Sequence, residues 1–284
     1  MAMTALTVAA LSTAVAEGQT TAFGPQNPFF AESALPYHAP PFDRIKDSDY
    51  EPAFDAGMAE EMKEMMAIAD NPAAPTFENT LVAMEKAGQL YDRVNAAFNG
   101  VTGANGNPEL EKIQALEAPK MAAHRDAIYL NAKLFHRVET IYRQMTSKPM
   151  GALGLDAESK RLVEIYYKKF VHAGANLSDE NKEKLKKLNE EESSLSNAFR
   201  SKVLAATKAG AFTTANKSAL KGLNDAELAA AAAAAKARGK EGYLLPMQNT
   251  TQQPVLASLE DRATRQAIFE SSWNRAERGD ANDT

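Results

Sequence analysis

The apolar residues after position 50 recur at one spacing. Phe54, Met58, Met62, Met65 and Ala69 follow at steps of four, four, three and four. Those steps put all five on one face of an α-helix but divide them between the two faces of a strand. The period returns in Leu81, Met84, Gly88, Tyr91, Asn95, Phe98 and Val101, with Gly88 and Asn95 as soft points. It returns again in Ile128, Phe135, Val138, Tyr142 and Met145, in Leu162, Ile165, Tyr166 and Phe170, and in Leu185, Leu188, Leu195, Phe199 and Val203. Stripes of this kind are buried by laying helices side by side, so the expected fold class is mainly α, built of antiparallel helices.

Local signals set the expected boundaries. Ser48 and Glu51 have capping-box spacing, Asp47 and Asp49 also suit a helix start, and Asn71-Pro72 stops the first helix. Pro75-Thr76 restarts the pattern, Gly100, Gly103 and Gly106 mark a turn, and a helix from Pro108 is expected to bend at Pro119. Pro149, Gly151 and Gly154 predict another turn, Asp156 a cap, Gly174 a stop, and Ser178 the start of a further helix. In the last third, Ala211–Ala215 and Tyr243–Gln248 read as short strands around a helix capped by Asn224 and Glu227, and Pro254 begins one more helix. Gly279 reads as a helix stop and Asn282-Asp283-Thr284 as the start signal of another. The expected organisation is a tail at 1–23, an extended proline- and aromatic-rich arm at 24–47, a helical domain at 48–207 and a mixed segment at 208–284.

Composition excludes several functions. Lys plus Arg number 32 against 37 Asp plus Glu, so the basic face of a nucleic-acid partner is not expected. With no cysteine, disulfides, thiolate metal sites and cysteine nucleophiles are ruled out. No stretch approaches the roughly 18 apolar residues of a membrane span. Ala5–Ala16 resembles the apolar core and small-residue cleavage site of a secretory signal, though no basic residue precedes it. The expected compartment is therefore the periplasm, with the cytoplasm as the alternative.

A search for catalytic residues ends without a set. Helical metalloprotease sites need two imidazoles four apart with a carboxylate between them, as in H-E-x-x-H. The four histidines His38, His124, His136 and His172 are followed by Ala, Arg, Arg and Ala, and no two are four apart. His136 and Glu139 share a face but read as a solvent-facing pair. The Gly100, Gly103 and Gly106 spacing lacks the lysine of a phosphate loop, and the Lys/Glu-rich stretch Asp179–Glu192 reads as a solvated face. Tyr166, Tyr167 and Phe170 read as core rather than groove. No catalytic, cofactor-binding or metal-ligating residue is assigned.

The order of certain segments carries more information. NPFFAESALPYHAPPFDRI from Asn27, YEPAFDAGM from Tyr50, PTFENTLVAMEKAG from Pro75 and DAIYLNAKLFHRV from Asp126 occur in sequence. RLVEIYYKKFVHAGANL from Arg161 and NTTQQPVLASLEDRATRQAIFESSWNRAERGDANDT from Asn249 complete the series. Together they resemble the thimet-oligopeptidase-like zinc metallopeptidases, in particular the peptidyl-dipeptidase branch, over about Asn27 to Thr284.

The resemblance implies a two-lobed enzyme with a deep channel, of which this chain would be the amino-terminal portion and one lobe. It implies zinc in the complete enzyme, held by an H-E-x-x-H helix and a further Glu beyond Thr284, and none bound to this chain. The implied reaction is release of dipeptides from the carboxyl end of short oligopeptides, with this half supplying a channel wall and inactive alone. The implied partners are oligopeptide substrates and the carboxyl-terminal half. The alternatives are part of a related endopeptidase, or a stand-alone helical binding module.

Overall fold

In the computed structural model, residues 22–147 and 153–284 are described. The signal-like run Ala5–Ala16 and the turn residues Pro149 and Gly151 lie outside them. The chain is mainly helical, as its periodicity predicts. Helix α1 (Tyr50–Ala69) leads through a π-helical turn at Phe77–Val82 into the short α2 (Ala83–Lys86) and then α3 (Gln89–Asn105). Next come α4 (Pro108–Tyr129), α5 (Ala132–Ser147), α6 (Ala157–Ala173) and the long α7 (Asp179–Ala209). The remainder holds β1 (Phe212–Thr214), α8 (Asp225–Ala237), β2 (Tyr243–Leu245), α9 (Asn249–Ser258) and α10 (Arg262–Trp273). The strands pair antiparallel, Phe212 opposite Leu245 and Thr214 opposite Tyr243. No helix of the described residues is long and apolar enough to cross a membrane.

The predicted stripe of α1 serves two apolar clusters. Its first half places Phe54 and Met58 among Phe29, Val94, Phe98 and Leu110, where the Phe54 ring meets Phe98 edge-on at 5.3 Å. Its second half places Met65 and Ala69 among Leu81, Val138, Val163 and Phe170 of the elements that follow. A third cluster, with Leu220, Leu245, Met247 and Ile268, fills the last third. The α1–α3 crossing is close because Gly57 has no side chain: a Cβ there would stand 2.8 Å from Tyr91 Cα.

Several caps follow the sequence signals. Asp156 accepts the Ser159 N–H at 2.7 Å, Asn224 and Glu227 bond reciprocally, and Gly174 ends α6 at a φ of 100°. At PTFENT, Thr76 Oγ1 accepts from the Asn79 N–H at 3.1 Å while Asn79 Oδ1 accepts from the Thr76 N–H at 2.8 Å. Asn79 Oδ1 also receives Nη2 of Arg137, whose Nη1 donates to the Asn71 and Ala73 carbonyls. One buried guanidinium thus ties the loop after α1 to α5.

Other expectations need correction. Asp49 stands at the start of α1 but makes no side-chain bond into it; its carboxylate accepts the Lys46 N–H at 2.8 Å and closes the 3₁₀ turn Asp47–Asp49 that leads into the helix, in place of a Ser48–Glu51 box. The arm is a series of turns, including a 3₁₀ turn at Pro36–His38, instead of an extended run. Of its aromatics, Phe29 is buried against Tyr50, whereas Phe30, Tyr37 and Phe42 are exposed. Gly88 breaks the helix that restarts after Pro75: at a φ of 76° its N–H donates to Glu64 Oε2, a conformation glycine adopts readily. Gly100 and Gly103 lie inside α3, where a Cβ would meet no neighbouring element within 4 Å, and only Gly106 ends the helix.

The helix expected from Pro254 is two helices, because the chain is extended at Leu259 and Asp261 restarts it by capping the Thr264 N–H at 2.7 Å. Pro254 falls inside α9. Asp283 accepts the Arg278 and Gly279 N–H groups and so closes the turn that follows α10.

Candidate functional site

Four helices line a groove open to solvent on one side. Gly57 sets α1 directly against α3, and the Tyr91 ring fills the crossing between Phe54 and His124. On the far side, Asn189 of α7 donates through Nδ2 to both carboxylate oxygens of buried Asp126 on α4, each at 2.9 Å. The space left between these contacts has a volume of about 480 Å³ and is lined from α1, α3, α4 and α7.

Its lining is mixed in chemistry. Asn95, Asn99, Gln114, Ser193 and Asn197 offer uncharged donors and acceptors. Arg125 and Arg200 add positive charge, and Asp92 and Glu192 negative charge. Near the floor, His124 Nε2 and Glu61 Oε2 are 2.7 Å apart with side chains 8% and 15% exposed. Burial, reinforced by Glu61 and Asp92, pushes the Tyr91 hydroxyl up to about 12. Burial likewise raises the Asp92 carboxyl, with Glu61 and Glu85 adding to it. These groups offer hydrogen-bond donors, acceptors and both signs of charge along one groove. The reading of Asp179–Glu192 as a solvated face holds for Lys184–Glu180 and Lys186–Glu183, both exposed pairs, while Glu192 at its end faces the groove.

The remaining sequence candidates are dispersed. His38 bonds the Ser33 carbonyl at 2.9 Å in the arm, and His136 and His172 are exposed. Glu139 pairs with Arg143 at 2.7 Å rather than with His136. Tyr166 and Phe170 are core residues, with the Tyr166 hydroxyl donating to Glu85, and Tyr167 stacks on Tyr142.

Among the described residues, the only three or more His, Cys, Asp or Glu side chains close enough to share an ion are Glu51, Asp55 and Glu117, all within 4.8 Å of one another. Sequence reasoning missed this group. Glu51 and Asp55 are one helical turn apart, but Glu117 joins them only through the packing of α4 on α1. Zinc in peptidases is held mainly by imidazole nitrogen, so an all-carboxylate set with Lys120 bonded into it does not fit that ion.

No protein-family model matches the chain. Among curated proteins, it is 46% identical to the dipeptidyl carboxypeptidase of Salmonella typhimurium over 259 residues, 91% of this chain and 37% of that protein. With the Escherichia coli dipeptidyl carboxypeptidase it shares 44% identity over the same shares of each. It is 23% identical to Salmonella typhimurium oligopeptidase A over 88% of this chain and 35% of that protein. The chain thus spans a little over a third of the length of these relatives.

Proposed function

We propose that this chain, which is similar over nine-tenths of its length to dipeptidyl carboxypeptidase and more distantly to oligopeptidase A, belongs to their family and is the amino-terminal part of a zinc metallopeptidase. The whole enzyme releases dipeptides from the carboxyl end of oligopeptides, and this part supplies one wall of the substrate channel. The observation that carries the reading is 46% identity sustained over nine-tenths of the chain. The much lower 23% identity to oligopeptidase A disfavours the endopeptidase alternative. The groove between α3, α4 and α7 supports the channel-wall role, because its amide and hydroxyl groups can satisfy a peptide backbone while its charges orient the chain.

The zinc ligands belong, on this reading, outside these 284 residues. Exposed apolar side chains support a partner surface: Leu188, Leu195 and Phe199 on α7 are 60%, 62% and 55% exposed, and Trp273 on α10 is 77% exposed. Solvent-facing apolar groups in such number mark a surface that packs against further polypeptide. The signal-like run supports export to the periplasm.

The test is a peptidase assay on the purified chain, with an amino-blocked oligopeptide, added zinc and product detection by mass spectrometry. No dipeptide should be released. Release that a chelator abolishes and zinc restores would overturn the reading.

A further inference from the structure

We propose that Glu51, Asp55 and Glu117 form a binding site for a hard divalent cation such as Mg²⁺, Ca²⁺ or Mn²⁺, held between α1 and α4. None of the three lines the groove, and none contributes an imidazole, so this site is separate from the channel and from any zinc centre.

Two independent observations point to a ligand. The first is a charge imbalance. Lys120 Nζ donates to Asp55 Oδ1 and Glu117 Oε1, both at 2.8 Å, and its one positive charge faces three carboxylates. Two negative charges are left over, which a divalent ion neutralises. The second is an unsatisfied atom. The Glu117 side chain is 0% exposed, and its Oε2 is buried with no hydrogen-bond partner. Buried carboxylate oxygens are almost always engaged, and Lys120 already uses the other oxygen of the pair. A bound cation accepts the free lone pairs of Oε2 without needing a further donor.

The donor set selects the ion class. Carboxylate oxygen suits Mg²⁺, Ca²⁺ and Mn²⁺, whereas zinc and copper favour nitrogen and sulfur. Asp55 is 53% exposed, so solvent reaches the ion on one side and water completes its coordination. Three protein ligands and an open side imply modest affinity, with a Kd of ~10⁻⁴–10⁻³ M.

The test uses the full 284-residue chain and metal salts alone. Calorimetric titration with CaCl₂ and with MnCl₂, together with electron paramagnetic resonance of free Mn²⁺, should show one saturable site. Glu51→Gln and Asp55→Asn change accessible side chains and leave the buried one in place, and each should weaken binding about tenfold, because ligand charge sets affinity at such sites. Lys120→Met removes the competing ammonium and should tighten binding. Circular dichroism melts confirm that each variant is folded. An absence of saturable binding at millimolar metal overturns the proposal. Binding unchanged in both carboxylate variants overturns it too, as does binding that Lys120→Met fails to strengthen.

Discussion

Arg137 Nη2 donates to Asn79 Oδ1 across 2.8 Å, and the guanidinium that makes this bond is 4% exposed. Two further bonds run from Nη1 to the Asn71 and Ala73 carbonyls, so one side chain satisfies two acceptors in the loop after α1 and one in the π-helical turn. A lysine, with a single compact charge, cannot reproduce this fork. Arg137→Lys and Asn79→Ala should each destabilise the chain by roughly 2–4 kcal/mol, since each leaves buried polar groups unpaired. Urea unfolding of both variants checks this; a loss within 0.5 kcal/mol, the range of roughly neutral surface changes, would contradict it.

Gly57 permits the α1–α3 contact, with a Cβ at that position standing 2.8 Å from the Tyr91 Cα and 2.9 Å from its N. Backbone atoms cannot swing aside as a side chain can. Gly57→Ala should therefore cost about 1–3 kcal/mol through overpacking, despite alanine's better helix propensity. Thermal melts give the sign: a raised Tm would refute the close crossing.

The tyrosines make the fold sensitive to alkali. Tyr91 ionises at about 12 in the folded chain against an ordinary 10.0, and burial also raises Tyr50, Tyr129 and Tyr166. Below the ordinary value both folded and unfolded chains hold these protons. Above it the unfolded chain releases them first, so stability is full below pH 10.0 and falls as pH rises towards 12. Denaturant midpoints measured across that window should drop, with a smaller drop in Tyr91→Phe. Tyrosinate absorbance that appears fully at the ordinary value, before unfolding, would count against it.

Exposure on α7 predicts an asymmetry between stability and association. Leu195→Ser and Phe199→Ser remove side chains 62% and 55% exposed, so the change in unfolding free energy should stay near ±0.5 kcal/mol. Phe54→Ala, at 0% exposed, should cost about 3–5 kcal/mol. Light scattering over a concentration series should show the parent chain associating more than the α7 variants. Equal masses at every concentration would remove the case for a sticky face.

Periodicity revealed helices well because it reports which side chains share a face. The α1 stripe is buried at Phe54, Met58, Met65 and Ala69, and α6 buries Tyr166 and Phe170 as its spacing implied. The same signal in Leu188, Leu195 and Phe199 is equally regular, yet those residues face solvent. Spacing states what can be covered; it does not state whether a cover is present. Backbone breaks at Gly88 and Leu259 were harder to read, because each depends on a conformation that neighbouring sequence only permits. The groove and the carboxylate cluster were the least legible. Asn189 meets Asp126, and Glu117 meets Glu51 and Asp55, only through long-range packing.

The contact at Gly57 has a mechanical consequence for the groove. Where two helices touch through their main chains, no rotamer change can spread them, so the α1–α3 side keeps a constant gauge. On the opposite side α7 packs along α4, and Asn189 Nδ2 donates to both carboxylate oxygens of Asp126. Bulk added at position 57 would therefore be felt in the groove itself, because the residue it would push, Tyr91, is one of those that line it.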